Sequence, residues 1–160
     1  LLDVDGTLTE GTVIYNDRGE ETKVFSVRDG LGLRLLMDAG IDVGIITGRS
    51  APALLHRLKN LGIRHIWDGV RDKADLLGEI TKKTQVEPYA IAFVGDDLPD
   101  LGLMALVGLS IAVANAAPEV IERADYKTRA PGGKGAVREV AELILKSKNL
   151  WSQIVDSYLL

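Results

Sequence analysis

Leu1-Leu2-Asp3-Val4-Asp5-Gly6-Thr7-Leu8-Thr9 opens the chain. Two apolar residues lead into a carboxylate, and a second carboxylate follows two positions later. A glycine then lets the backbone turn, and Thr7 and Thr9 bring hydroxyls. Such a stretch reads as the carboxyl end of a buried strand, where open α/β sheets place their ligands. A period of two aims alternate residues the same way, so Asp3 and Asp5 face one small volume. Two carboxylates there repel, and burial raises their pKa values, unless a cation or a shared proton compensates. The stretch therefore asks for a metal ion, for acid–base chemistry, or for both.

The remainder of the chain repeats this design of apolar runs ending in polar groups. Ile45-Ile46 leads into Thr47-Gly48-Arg49, Asp72-Lys73 opens a helical stretch, and Phe93-Val94-Gly95 leads into Asp96-Asp97-Leu98-Pro99-Asp100. Strands are expected at 41–46, 64–67, 90–94, 109–113 and 126–128. Helices are expected at 52–61, 72–83, 100–107, 118–124 and 135–146, and an earlier one from Arg28 to a stop at Gly40 with Leu31, Leu35, Leu36 and Ala39 on one side. Strands alternating with helices make right-handed parallel crossovers, so the expected fold is α/β, a doubly wound, Rossmann-like parallel sheet. Strand-like residues on either side of Asn16-Asp17-Arg18-Gly19-Glu20 predict a β-hairpin at about 12–27, inserted after the first strand. No linker or repeat interrupts residues 1–160, which read as one domain with a helical tail at about 147–160. In a parallel sheet, Asp3, Asp5, Thr47, Asp96 and Asp97 all come to one edge. Local roles explain single polar residues, Asp72 as a helix N-cap or Asp97 as a satisfied loop carboxylate, but not the convergence.

Composition narrows the function. With 160 residues the chain has room for a proper core, and 46% hydrophobic residues with 17 glycines suit a compact α/β enzyme. A net charge of −4 without a basic block argues against nucleic acid as a partner. There are no cysteines and two histidines, so disulfides are excluded and a zinc site is not expected. No apolar run reaches membrane-spanning length, so no membrane partner is expected and a cytoplasmic protein is the default. The opening strand is short for a buried one, so an upstream continuation is expected, which leaves a targeting segment open. Gly30 and Gly32 start a dinucleotide fingerprint, but Leu35 stands where its third glycine belongs. Gly108-Leu109-Ser110-Ile111-Ala112 lacks the last glycine of a serine-hydrolase elbow.

Taken in order, Asp-x-Asp, Thr after an apolar run, Lys at a helix start and the acidic Gly95-Asp96-Asp97 cluster resemble the four motifs of the haloacid dehalogenase superfamily of phosphatases. The resemblance spans essentially the whole chain. It implies that Asp3 attacks phosphorus and becomes an aspartyl-phosphate, while Asp5 protonates the leaving oxygen and later takes a proton from water. It also implies that Asp3, Asp96 and the backbone carbonyl of Asp5 hold Mg²⁺, with Asp97 and Asp100 supporting them. Thr47 would donate to a phosphate oxygen, and Lys73 would neutralise charge beside Asp3. Receiver-type signalling domains accept phosphate on a doubly wound sheet with similar residues. They need a separate Asp between the acidic pair and the Thr, and no such Asp ends the run before Thr47.

A hairpin in place of a large cap, with Phe25-Ser26-Val27-Arg28-Asp29-Gly30, Thr47-Gly48-Arg49 and Gly132-Gly133-Lys134-Gly135-Ala136-Val137-Arg138-Glu139, is similar to the 3-deoxy-D-manno-octulosonate 8-phosphate phosphatase family of lipopolysaccharide synthesis. Thr7 and Glu10 depart from that family, which has an apolar residue and Asp there. The resemblance implies substrate contacts from Ser26, Arg28, Asp29, Gly30, Arg34, Gly48, Arg49 and Arg57, and Arg is the side chain best shaped to grip a sugar-acid carboxylate. A nine-carbon, sialic-type acid 9-phosphate is the alternative substrate; relatives with that preference have Glu at Arg49 and Lys at Asn60. The family also implies a homotetramer built through hairpins, with C-terminal segments near a neighbour's site. Trp151, Ile154, Val155, Tyr158 and Leu159 recur at helical spacing, so the tail either serves that assembly or folds back on its own domain.

Overall fold

In the computed structural model, which describes residues 1–159, the opening segment is the centre of the sheet. Leu2 bridges Ile45 on one side and Val94 on the other, both in parallel. Its N–H donates to Gly44 at 3.0 Å, and Asp3 N–H donates to Val94 at 2.9 Å. On one flank lie β3 (Gly44–Ile46) and β4 (His65–Trp67); on the other lie β5 (Ala92–Gly95), β6 (Leu109–Ala112) and β7 (Tyr126–Lys127). The order is therefore β4, β3, opening segment, β5, β6, β7, with every pairing parallel. Because Leu2 is level with Ile45 and Val94, Asp3 is level with Ile46 and Gly95. Thr47 and Asp96 each stand one residue past that level, at the same edge. The convergence expected from the sequence is thus a consequence of register.

Strands this buried need apolar residues on both faces, and Val4, Ile45, Ile46, Phe93 and Ile111 are all fully buried. The helices α1 (Val27–Asp38), α2 (Pro52–Leu61), α3 (Leu77–Thr84), α4 (Leu101–Met104), α5 (Pro118–Ile121), α6 (Ala136–Ser147) and α7 (Trp151–Ser157) complete the fold. The tightest helix pair is α1 with α6, where a Cβ on Gly32 would lie 3.1 Å from the Ala141 Cβ. Ser26 caps α1 by accepting from Asp29 N–H at 3.2 Å. Asp29 in turn is buried and accepts from Gly135 N–H at 3.2 Å and Arg138 N–H at 2.8 Å, capping α6. Among the described residues, no helix is long and apolar enough to cross a membrane.

Several expected elements are shorter or differently faced. The hairpin pairs only β1 (Ile14–Tyr15) with β2 (Glu21–Thr22), because Asn16 Oδ1 accepts from the backbone of Arg18 and Glu20 and closes the turn tightly. Leu31 is exposed rather than inward; the inner face of α1 is carried by Gly30, Gly32, Leu33 and Leu36, where small residues admit Arg57 and α6. The stretch from Asp72 begins with a 3₁₀ turn (Ala74–Leu76) ahead of α3, with Asp72 accepting from Ala74 N–H at 3.0 Å. The tail forms α7 and folds back in part. Trp151 lies under the Arg138 guanidinium and the Lys146 ammonium, each 5.3 Å from the ring centroid, and Ile154 packs on the core. Val155, Tyr158 and Leu159 face outward, and Leu160 lies outside the described residues.

Candidate active site

Lys73 organises the charges. Its ammonium lies 2.5 Å from Asp3 Oδ1 and 2.6 Å from Asp100 Oδ1, and all three side chains are almost fully buried. Asp100 Oδ2 accepts from Asp96 N–H at 2.8 Å and Asp97 N–H at 3.2 Å. That contact bends the loop after β5 so that Asp96 faces Asp3. Oxygens of Asp3, Asp96 and Asp100 lie within 4.8 Å of one another, close enough to share a cation. Of these, Asp100 is saturated by Lys73 and two backbone donors, whereas the buried Asp3 Oδ2 has no hydrogen-bond partner.

The electrostatics follow from this crowding. Burial pushes the Asp3 carboxyl above its ordinary range, against the opposing pull of Lys73. Asp96 is pushed up as well, first by burial and then by the charges of Asp3 and Asp100. Burial alone would lower the Lys73 ammonium, but Asp3 and Asp100 outweigh it and hold the group above its usual value. One buried cation thus faces three carboxylates, and this deficit of positive charge is what a divalent ion would fill. An oxygen-only donor set, with an orphaned buried oxygen on Asp3, fits Mg²⁺.

The loop after Asp3 is shaped by close approaches. Gly6 has φ +100°, and a Cβ there would collide with the Asp96 carboxylate. Thr9 Oγ1 accepts from Gly6 and Gly11 N–H groups, and Thr7 Oγ1 is buried without a partner. Gly132 packs so closely on Gly6 that a side chain would overlap the Gly6 carbonyl, and Gly133 N–H donates to Thr7 at 2.9 Å. The Gly132-Gly133 run is therefore a close-packed wall against the opening loop. Asn115 anchors it by accepting from Gly132 N–H at 2.9 Å.

Thr47 is buried at the end of β3, and its Oγ1 accepts from Arg49 N–H at 3.2 Å, while Gly48 sits against the carbonyl of Val70. Arg49 reaches Glu21 Oε2 at 3.0 Å and Asp5 Oδ2 at 3.7 Å. Arg34 and Arg57 instead donate to the backbone carbonyls of Asn60 and Ser26, and Arg57 covers Gly30 and the Phe25 ring. Arg28 is exposed at the start of α1. Among the described residues, Arg49 is the member of the arginine set in ionic contact with a carboxylate of the opening motif.

Lys23, Glu21 and Tyr15, unexpected from the sequence, also belong to this cluster. Lys23 pairs with Asp5 and, at 2.8 Å, with Glu21, while Tyr15 and Glu21 both accept from Arg49. The signal was present as alternation: Glu21 and Lys23 fall on the same side of an extended arm. An apolar cavity of about 290 Å³ lies at the opposite edge of the sheet, lined by Leu1, Leu33, Ile41, Ile80, Val86 and Ile144 among others, and none of these carboxylates borders it.

Comparison with known proteins agrees with this geometry. The haloacid dehalogenase-like hydrolase profile matches residues 66–139. The chain is 47% identical over 149 residues to the 3-deoxy-D-manno-octulosonate 8-phosphate phosphatase of Yersinia pestis, covering 93% of this chain and 80% of the relative. It is 48% identical over 145 residues to that of Escherichia coli K12, covering 91% and 77%. The solved structure of the Moraxella catarrhalis phosphatase, in complex with a magnesium ion, a phosphate ion and a KDO molecule, superposes with a TM-score of 0.95 at 46% identity over 98% of this chain and 90% of that one. With its ordered motifs at one sheet edge and this similarity over nearly its full length, the chain is a phosphoric monoester hydrolase of the haloacid dehalogenase superfamily and belongs to its 3-deoxy-D-manno-octulosonate 8-phosphate phosphatase family.

Proposed function

We propose that residues 1–160 act as one phosphatase domain that hydrolyses 3-deoxy-D-manno-octulosonate 8-phosphate to the free sugar acid and phosphate through an aspartyl-phosphate on Asp3. The carrying observation is the buried, unpartnered Asp3 Oδ2 beside the Lys73 ammonium. Phosphoryl transfer needs an oxygen nucleophile placed in line and charge stabilised on the equatorial oxygens. Asp3 supplies that nucleophile through one carboxylate oxygen, and Lys73 and Thr47 would offset charge on the transferred group. Asp5 protonates the leaving sugar oxygen, then accepts a proton from the water that opens the aspartyl-phosphate. Asp3, Asp96 and the Asp5 carbonyl would hold Mg²⁺, with Asp97 and Asp100 shaping the loop beneath. When bound, the ion supplies positive charge that keeps Asp3 ionised and draws the phosphate against it.

Arg49 is the arginine placed to meet the carboxylate of the sugar acid, since it already faces anions at the mouth of the site. Steady-state kinetics with the eight-carbon acid 8-phosphate and a nine-carbon sialic-type acid 9-phosphate test the reading. The expected result is a kcat/KM at least about tenfold higher for the eight-carbon substrate, a preference of roughly 1.4 kcal/mol, and loss of turnover in excess EDTA. A tenfold preference for the nine-carbon acid, or full activity without metal, overturns it.

We also propose a homotetramer. Val13, Ile14, Tyr15 and Val24 on the hairpin and Val155, Tyr158 and Leu159 on the tail are exposed, more apolar surface than these small elements need as ornaments. Sedimentation at micromolar concentration should show four chains; a fully active monomer contradicts the assembly.

A further inference from the structure

Lys23 stands just past β2, and its ammonium crosses from the hairpin to donate to Asp5 Oδ1 while pairing with Glu21 Oε1 at 2.8 Å. The side chain is 2% exposed, so the stem is packed away and few rotamers remain open to the charged end. Arg49 holds the far side of Glu21 and fixes this arm to the end of β3. The two oxygens of Asp5 are thereby made unequal. Oδ1 is occupied by a fixed cation, whereas the buried Oδ2 has no hydrogen-bond partner and meets only the Arg49 guanidinium at 3.7 Å, beyond hydrogen-bond reach. The terminal torsion of an aspartate is broad and nearly two-fold, so an unrestrained carboxylate would exchange these oxygens freely. Proton transfer requires one oxygen held within hydrogen-bond reach of the reacting atom.

The geometry points to Lys23 as a positioning residue that keeps Asp5 Oδ2 turned toward the leaving oxygen, a role that rests on the proposed reading of Asp5 as the acid. In the first half-reaction, an Asp3 carboxylate oxygen bonds to phosphorus as the bond from phosphorus to the sugar oxygen breaks. The electron pair of that bond stays on the sugar oxygen, which takes the proton from Asp5 Oδ2. In the second, water bonds to phosphorus and gives a proton back to Oδ2 as the bond to Asp3 breaks. Lys23 exchanges no proton in either half. The hairpin thus completes the acid–base site instead of only covering it.

The test compares two esters in the Mg²⁺-loaded enzyme. The sugar alkoxide must be protonated to leave, whereas p-nitrophenolate leaves as a stable anion. Lys23→Met should lower kcat on the sugar-acid phosphate about 30-fold, within the range of general-acid effects. Its KM, and the pre-steady-state rate at which it releases p-nitrophenolate from p-nitrophenyl phosphate, a step that needs no proton from Asp5, should stay within about threefold of wild type, and Lys23→Arg should recover most of the lost kcat. In an Asp5→Asn background, Lys23→Met should add less than about a twofold loss, because both changes act on one step. Lys23→Gln is measured alongside, so that a folding defect in one variant does not decide the result. Equal losses in the leaving-group release step of both esters, or a raised KM with kcat kept, overturn the assignment. Turnover persisting in Asp3→Asn overturns the aspartyl-phosphate reading itself; with Asp3→Asn inactive, a uniform loss in the Lys23 variants removes only the role given to Lys23.

Discussion

Asp3→Asn should lose at least about 10⁴-fold in kcat while remaining folded, a barrier increase of roughly 5.5 kcal/mol. Asn keeps the shape of Asp but presents a neutral amide, which cannot form the aspartyl-phosphate. The fold should tolerate it for a specific reason. Asp3 is one of three carboxylates gathered around one ammonium, and Lys73 keeps Asp100 as a partner at 2.6 Å after the change. Removing a crowded negative charge offsets the loss of one ion pair, so thermal unfolding of the metal-free protein should shift little. Turnover measured beside a melting curve separates the outcomes. A folded Asp3→Asn protein that still hydrolyses the sugar-acid phosphate excludes a covalent intermediate on Asp3.

The edge at which Asp3 lies was legible from the chain because β-sheet register is a strong constraint. Apolar runs ending in Asp3, Thr47 and Asp96 leave a parallel sheet few ways to assemble, and Leu2 bridging Ile45 and Val94 is the one that buries them all. The inner face of α1 was not legible. Periodicity weighs side chains, while the contact with α6 is made through Gly32, whose lack of a side chain is the feature that matters. The same holds for Gly132, where the missing side chain lets the backbone pack against Gly6. Lys23 escaped for another reason. A charged residue on a short hairpin reads as solvated, and only the fold of the arm over Asp5 reveals its partner. Asp29 shows the converse, since a polar residue inside a family-like segment turns out to accept from the first turn of α6.

Lys73→Met should be the most damaging substitution for the metal-free protein, lowering its stability by about 3 kcal/mol or more at neutral pH, the usual cost of stripping the partner from a buried charge. Methionine fills a similar volume, so packing is kept and the loss is electrostatic. For a domain of this size that corresponds to a fall of roughly 6–12 °C in Tm. The dependence on pH has a definite sign. Burial already raises Asp3 and Asp96 above the ordinary carboxylate value of 3.8, and Lys73 opposes that rise at Asp3. Without Lys73 the Asp3 carboxyl moves higher still. A carboxyl raised in the folded state binds its proton more tightly there than in the unfolded chain. Its contribution is fully present below the unfolded value and is lost as pH rises through the folded one. The deficit of Lys73→Met relative to wild type should therefore be small near pH 4 and widen toward pH 8. Added Mg²⁺ should narrow it, because an ion held by Asp3 and Asp96 supplies the missing positive charge and stabilises whichever state binds it. Melting curves of both proteins in EDTA at several pH values, repeated with millimolar Mg²⁺, measure all of this. A deficit that is the same at every pH, or that Mg²⁺ leaves untouched, means that Lys73 acts by packing and that the carboxylates do not share its charge.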